Sequence, residues 1–152
     1  MLASCGGQPG QRTVTGAGYS FRAPAGWEVV RSARGVRASE GGDGAAVIGV
    51  SRFPLLRAYR PALWSKVVRE LDGASNAIAR DQHGSVTDAR DVRISGERAR
   101  RYTLTYDVRG KKLVEELVFV LRAKTEYLLL CRYEQGGSLD ACDTLMSSFR
   151  LT

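Results

Sequence analysis

The sequence predicts an α+β fold, an antiparallel β-sheet flanked by helices. Three observations point there. Alternating apolar and polar runs fill both halves of the chain. A long central segment repeats its apolar residues at helical spacing instead. The gaps between the later runs are only two to four residues, the length of antiparallel hairpins.

The elements follow in order. Tyr19, Phe21 and Ala23 alternate with Ser20 and Arg22, a half-buried strand ending at the turn Pro24-Ala25-Gly26. Trp27 to Val30 and Gly35 to Ser39 read as short strands, and Gly41-Gly42-Asp43-Gly44 turns the chain into a strand at 45–50. No Gly-Lys-Ser/Thr follows that glycine cluster, so it is a turn and not a phosphate loop. Pro61 opens the long helix, where its missing N–H has no intrahelical partner to lose. Trp64, Val67, Val68, Leu71, Ala74, Ala77 and Ile78 form its apolar stripe, and His83-Gly84 ends it.

The second half is strand until near its end: 91–95, 98–108, 113–122 and 127–134. In the Arg98 strand, Tyr102, Leu104, Tyr106 and Val108 share a face opposite Arg101, Thr103, Thr105 and Asp107. The runs 117–121 and 128–131 are apolar on both faces and belong at the sheet centre, covered on both sides. One cover is the long helix. The other is a second helical stripe, Cys142, Leu145, Met146 and Phe149, behind a Ser138 N-cap.

At 152 residues, 43% hydrophobic and 26% charged, the chain is one domain with a core of its own. No segment approaches the ~20 apolar residues of a spanning helix. The net charge of +7 invites a nucleic-acid reading, but the basic residues are scattered. Lysine occurs only at Lys66, Lys111, Lys112 and Lys124, and arginine supplies the rest. We expect a solvated basic surface and no nucleic-acid partner; attraction to anionic head groups is the alternative.

The chain opens MLASCGGQPG. Leu2-Ala3-Ser4-Cys5 has the pattern of a bacterial lipobox: small side chains before the cut, then a thiol free to take a diacylglyceryl group. Only four residues precede Cys5, so the charged and apolar regions of a signal peptide would lie upstream of this start. Residues 6–16, rich in glycine and without apolar periodicity, read as a flexible tether of at most about 36 Å. The expected organisation is therefore a lipobox remnant and tether over 1–17 and a single domain over 18–152. Assigning Cys5 to the lipid leaves Cys131 and Cys142 as an even pair, expected as a disulfide in an oxidising compartment. Two buried free thiols in a cytosolic protein are the alternative.

The segment GYSFRAPAGWEV, the long helix after a proline and the closing YLLLC…MSSFRL together resemble the PsbP-like (Mog/PsbP) superfamily, in particular its extracytoplasmic actinobacterial lipoproteins. The resemblance covers Gly18 to Thr152. It implies an α/β/α sandwich and an accessory or binding role without catalysis. No partner motif of that superfamily maps onto residues of this chain.

The catalytic inventory agrees with such a role. His83 is the single histidine, with Asp81 and Asp88 near it in sequence, and reads as a solvated helix-end residue. Glu115 and Glu116 go to opposite faces of a strand, which defeats paired acid–base chemistry. Asp140 with Asp143 is too sparse for a metal site. We therefore expect no enzyme, metal or cofactor, with a hydrolase as the weakest alternative. Two binding modes remain. A protein or small apolar ligand would sit between sheet and long helix, lined by Trp27, Trp64 and Tyr106. Alternatively, Arg98, Arg100 and Arg101 would hold an anionic lipid or cell-wall polyanion, although alternation separates Arg100 from Arg101. The expected protein is a monomer, anchored at Cys5 to the outer face of a bacterial cell membrane.

Overall fold

A computed structural model describes residues 10–42 and 44–152. The Leu2–Cys5 segment expected as a lipobox, and Asp43 of the glycine turn, lie outside the described residues. Among the described residues the architecture is α+β, ten strands in two antiparallel sheets with two α-helices.

The chain begins with β1 (Gln11–Gly16), paired over six residues with β2 (Tyr19–Pro24). Residues 11–16, expected as tether, are therefore strand, and the folded domain starts before Gly18. The reason is economical patterning. An edge strand gains its ladder from backbone alone and needs one inward side chain, here Val14, which is buried. Its other residues are polar, so the segment reads as linker.

Next come β3 (Glu28–Arg31), β4 (Gly35–Ser39) and β5 (Val47–Pro54). A 3-10 turn at Pro61–Leu63 leads into α1 (Trp64–Asp81). The meander is β6 (Ser85–Ile94), β7 (Glu97–Val108), β8 (Lys111–Arg122) and β9 (Thr125–Glu134). Then α2 (Asp140–Ser148) precedes the two-residue β10 (Arg150–Leu151). The N-cap of α2 is Leu139 and not the expected Ser138; the Ser138 hydroxyl, one residue further out, accepts from the Asp140 N–H at 3.2 Å.

The main sheet has the order β3-β4-β5-β9-β8-β7-β6, and β9 is its central strand. The small sheet, β1-β2-β10, was not expected. It exists because the chain returns after α2 and pairs Arg150 and Leu151 with Ser20 and Tyr19. Strand β6 begins six residues before the expected Asp91. It is an exposed edge, bulged at Thr87 and lined with charge, so it lacks the alternation that marks a half-buried strand.

The core lies in two layers, one on each face of the main sheet. On one face α1 packs Leu71 and Ala79 against Tyr102, Leu104, Leu117, Phe119 and Leu121. On the other, α2 and the small sheet bury Tyr19, Phe21, Leu145 and Phe149 against Val50, Val118, Val120 and Leu129. Cys131 of β9 and Cys142 of α2 are disulfide-bonded with Cα atoms 5.5 Å apart, tying that second cover to the sheet centre. Gly35 is required by a close approach. A Cβ there would run into the Val50 carbonyl oxygen, which is backbone and cannot swing away.

Candidate functional site

The two tryptophans and Tyr106 do not meet. Trp27 packs on the α2 face of the sheet, whereas Trp64 and Tyr106 lie on the α1 face. Trp64 stands at the first turn of α1; Tyr106 packs beside Gly84, past its last. An 18-residue helix separates those two positions by about 27 Å. Each ring has its own structural partners. Trp64 is 5% exposed, edge-on to Tyr59, and its Nε1 donates to Asp91 Oδ2 at 3.1 Å. Tyr106 donates to the buried Glu115 carboxylate at 2.7 Å. Burial first, then that carboxylate, pushes the Tyr106 hydroxyl up to about 12.

The arginine run divides as alternation requires. Arg98 and Arg100 lie on the α1 side and converge on Asp91: Arg98 Nη2 to Oδ2 at 2.7 Å, Arg100 Nη1 to Oδ1 at 3.0 Å. Arg98 also lies over the Trp64 ring at 4.7 Å, and Arg100 reaches Asp72. Asp72 in turn accepts from the Tyr102 hydroxyl. Burial works to raise the Asp91 pKa, but hydrogen bonds from Arg98, Arg100 and Trp64 outweigh it and hold the pKa below the usual carboxylate value. Arg101 is on the opposite face, paired with the buried Glu116 at 2.6 Å. The three arginines therefore form no single patch, and each is already neutralised.

A different set of cations converges elsewhere in the fold. A cleft of about 480 Å³ opens where the end of β1, the β3–β4 hairpin, the end of β5 and the β8–β9 turn meet. Arg31, Arg34, Arg52 and Lys124 line it, and no carboxylate does. Only Arg52 carried a readable signal. It shares a face with Ile48 and Val50, where strand alternation calls for an apolar residue. Arg31 and Arg34 flank one hairpin turn and Lys124 lies in a distant one, and only topology brings the two turns together.

The catalytic candidates remain apart. His83 is exposed, in the left-handed backbone region just beyond α1. Glu115 and Glu116 take opposite faces of β8 and are engaged by Tyr106 and Arg101 respectively. Among the described residues no helix is long and apolar enough to cross a membrane.

Cyanobacterial PsbP (CyanoP) of Synechocystis sp. PCC 6803 matches this structure with a TM-score of 0.67, covering 99% of both chains at 14% identity. The fold is PsbP-like. LpqN of Mycobacterium tuberculosis, involved in cell envelope biogenesis, matches with a TM-score of 0.58 and 16% identity, over 93% of this chain and 90% of LpqN. A Bacteroides thetaiotaomicron protein matches with a TM-score of 0.67 and 13% identity. The match takes in 95% of the present chain but 49% of that one, so this chain spans about half its length. By sequence the chain matches no family model and no curated protein. At such identities the PsbP-like likeness concerns the fold alone, and function has to be argued from the residues.

Proposed function

We propose that this PsbP-like domain is a non-catalytic binding module of the bacterial cell envelope, tethered to the outer face of the membrane through Cys5. The observation that carries the reading is the Cys131–Cys142 bond. Such a bond persists in oxidising compartments, and its formation leaves Cys5, within Leu-Ala-Ser-Cys, as the remaining cysteine. LpqN's part in envelope biogenesis is consistent with this compartment. The absence of catalysis is argued from engagement: Glu115 and Glu116, the buried carboxylates of β8, are each committed to a structural partner.

The test is acyl labelling of the precursor in its native host. The wild type should carry lipid and fractionate wholly with the membrane, since several acyl chains anchor stably where one does not. Cys5→Ala should lose both label and anchorage while keeping the thermal stability of the domain. A wild type that stays cytosolic with reduced thiols would sink the reading.

A further inference from the structure

The cleft at the β3–β4 hairpin is a concentration of uncompensated positive charge. Arg31, Arg34, Arg52 and Lys124 line it, and none of the four makes an ion pair among the described residues. Glu126, opposite Phe53 in the ladder, lies outside the lining. Like charges gathered without a counterion repel one another, which disfavours the compact state unless an anion enters.

The guanidinium groups are positioned without being used up. Arg34 lies over the Phe53 ring at 5.3 Å and Arg52 over the Tyr127 ring at 5.8 Å. A ring face orients a guanidinium through its π-electrons and takes none of its N–H donors. Arg31 gives one donor to the Thr15 carbonyl and keeps the rest. The Nε of Arg52 is buried without a hydrogen-bond partner among the described residues, as are those of Arg100 and Arg101, so a ligand in the cleft meets the terminal nitrogens of Arg52. Tyr19 is buried at the cleft, its hydroxyl donating to the Val50 carbonyl at 3.2 Å. A Cβ at Gly16 would overlap the Tyr19 ring, so that residue must be glycine for the ring to seat.

We propose that this cleft is a binding site for a phosphate-bearing ligand, with Arg34 and Arg52 as its bidentate forks and Arg31 and Lys124 as added charge. The planar guanidinium matches two oxygens of one phosphate, a geometry that a lone ammonium cannot supply. A volume of about 480 Å³ is in the range of small-molecule sites and exceeds a single phosphate, which suits a phosphate ester. The ester is either a soluble metabolite or the head group of a lipid. The inference stands independently of anchorage at Cys5.

The experiment is calorimetric titration of the full, non-acylated chain with inorganic pyrophosphate at low salt, joined by co-sedimentation with phosphatidylglycerol and phosphatidylcholine vesicles. Wild type should bind pyrophosphate, and binding should weaken as salt rises. Arg34→Gln and Arg52→Gln should each weaken it about tenfold. Arg52→Lys, which keeps charge and loses the fork, should still lose most of that affinity, and covers the case in which Arg52→Gln unfolds. Arg98→Gln, on the other side of the sheet, should change affinity by less than twofold. Sedimentation with phosphatidylglycerol vesicles that Arg34→Gln abolishes assigns a lipid head group. Pyrophosphate binding without vesicle binding assigns a soluble ester. No pyrophosphate binding by wild type, or an equal loss in Arg98→Gln, overturns the proposal.

Discussion

The molecule holds guanidinium groups on aromatic rings in two regions, and the two differ in what faces the charge. Near the start of α1, Arg98 lies over Trp64, and Asp91 answers both it and Arg100. At the β3–β4 hairpin, Arg34 lies over Phe53 and Arg52 over Tyr127, and no carboxylate lines the cleft. The first arrangement is a structural clamp that fastens the helix to the edge of the sheet. The second leaves donors free for something outside the chain. Local density of arginine says nothing about which outcome a region will have. What decides is whether the fold brings a carboxylate to the same place.

The clamp should show the largest effect. Trp64→Ala removes a large buried side chain and deprives Asp91 and Arg98 of a partner each. We expect a loss of about 3–5 kcal/mol in denaturant unfolding. An unchanged midpoint would mean that the clamp does not hold α1 to the sheet.

The second cover of the sheet gives the next effect. Replacing Cys131 and Cys142 together by serine releases α2 from the central strand. The closed loop is short, so the loss should be about 2–3 kcal/mol. Urea unfolding of the double variant checks this, and the wild type under reducing conditions should match it. Neither change should alter pyrophosphate affinity at the hairpin cleft by more than the fraction unfolded.

Much of this architecture was legible from the sequence. Helical spacing from Trp64 to Ile78 located α1, and the doubly apolar runs of β8 and β9 put those strands near the sheet centre. The pairing of the last two cysteines followed from counting. Elements that need few inward apolar residues stayed hidden. β1 requires only Val14, and β6 is an exposed edge, so neither writes a period into the sequence. The cleft stayed hidden for another reason. Arg31, Arg34, Arg52 and Lys124 come from a hairpin, a strand end and a distant turn, and their meeting is a property of strand order. Conversely, Arg98 to Arg101 looked dense because neighbours in sequence are easy to see, while Asp72, Asp91 and Glu116 arrive from other elements.

A smaller change probes Tyr106, which shares the α1 face with the clamp. Tyr106→Phe removes the hydrogen bond to buried Glu115 and should cost about 1–2 kcal/mol at neutral pH. The folded hydroxyl is raised, chiefly by burial, from 10.0 to about 12. Its contribution is therefore fully present below pH 10 and is lost as pH rises toward 12. The gap between wild type and variant, measured by unfolding at several pH values, should narrow across that window. A gap that stays constant would mean that the hydroxyl bond contributes nothing specific.

The smallest expected loss of stability is also the sharpest test of the comparison. Asp91→Asn keeps the size of the side chain and removes the charge facing Arg98 and Arg100. Because the Asp91 side chain is 37% exposed, solvent screens the pair, and the loss should be about 1 kcal/mol or less at pH 7. The folded pKa of Asp91 lies below its unfolded value of 3.8, so this stabilisation is present above that pH and disappears as pH falls through the folded pKa. Wild type and variant should therefore converge in acid. The same substitution makes the clamp resemble the hairpin cleft, with Arg98 held on a ring and its donors released. Titrating Asp91→Asn with pyrophosphate should then reveal a second, weaker site, seen as amide shifts around Arg98 and Arg100 that the wild type lacks. If no second site appears, a facing carboxylate is not what separates a structural arginine cluster from a binding one in this fold.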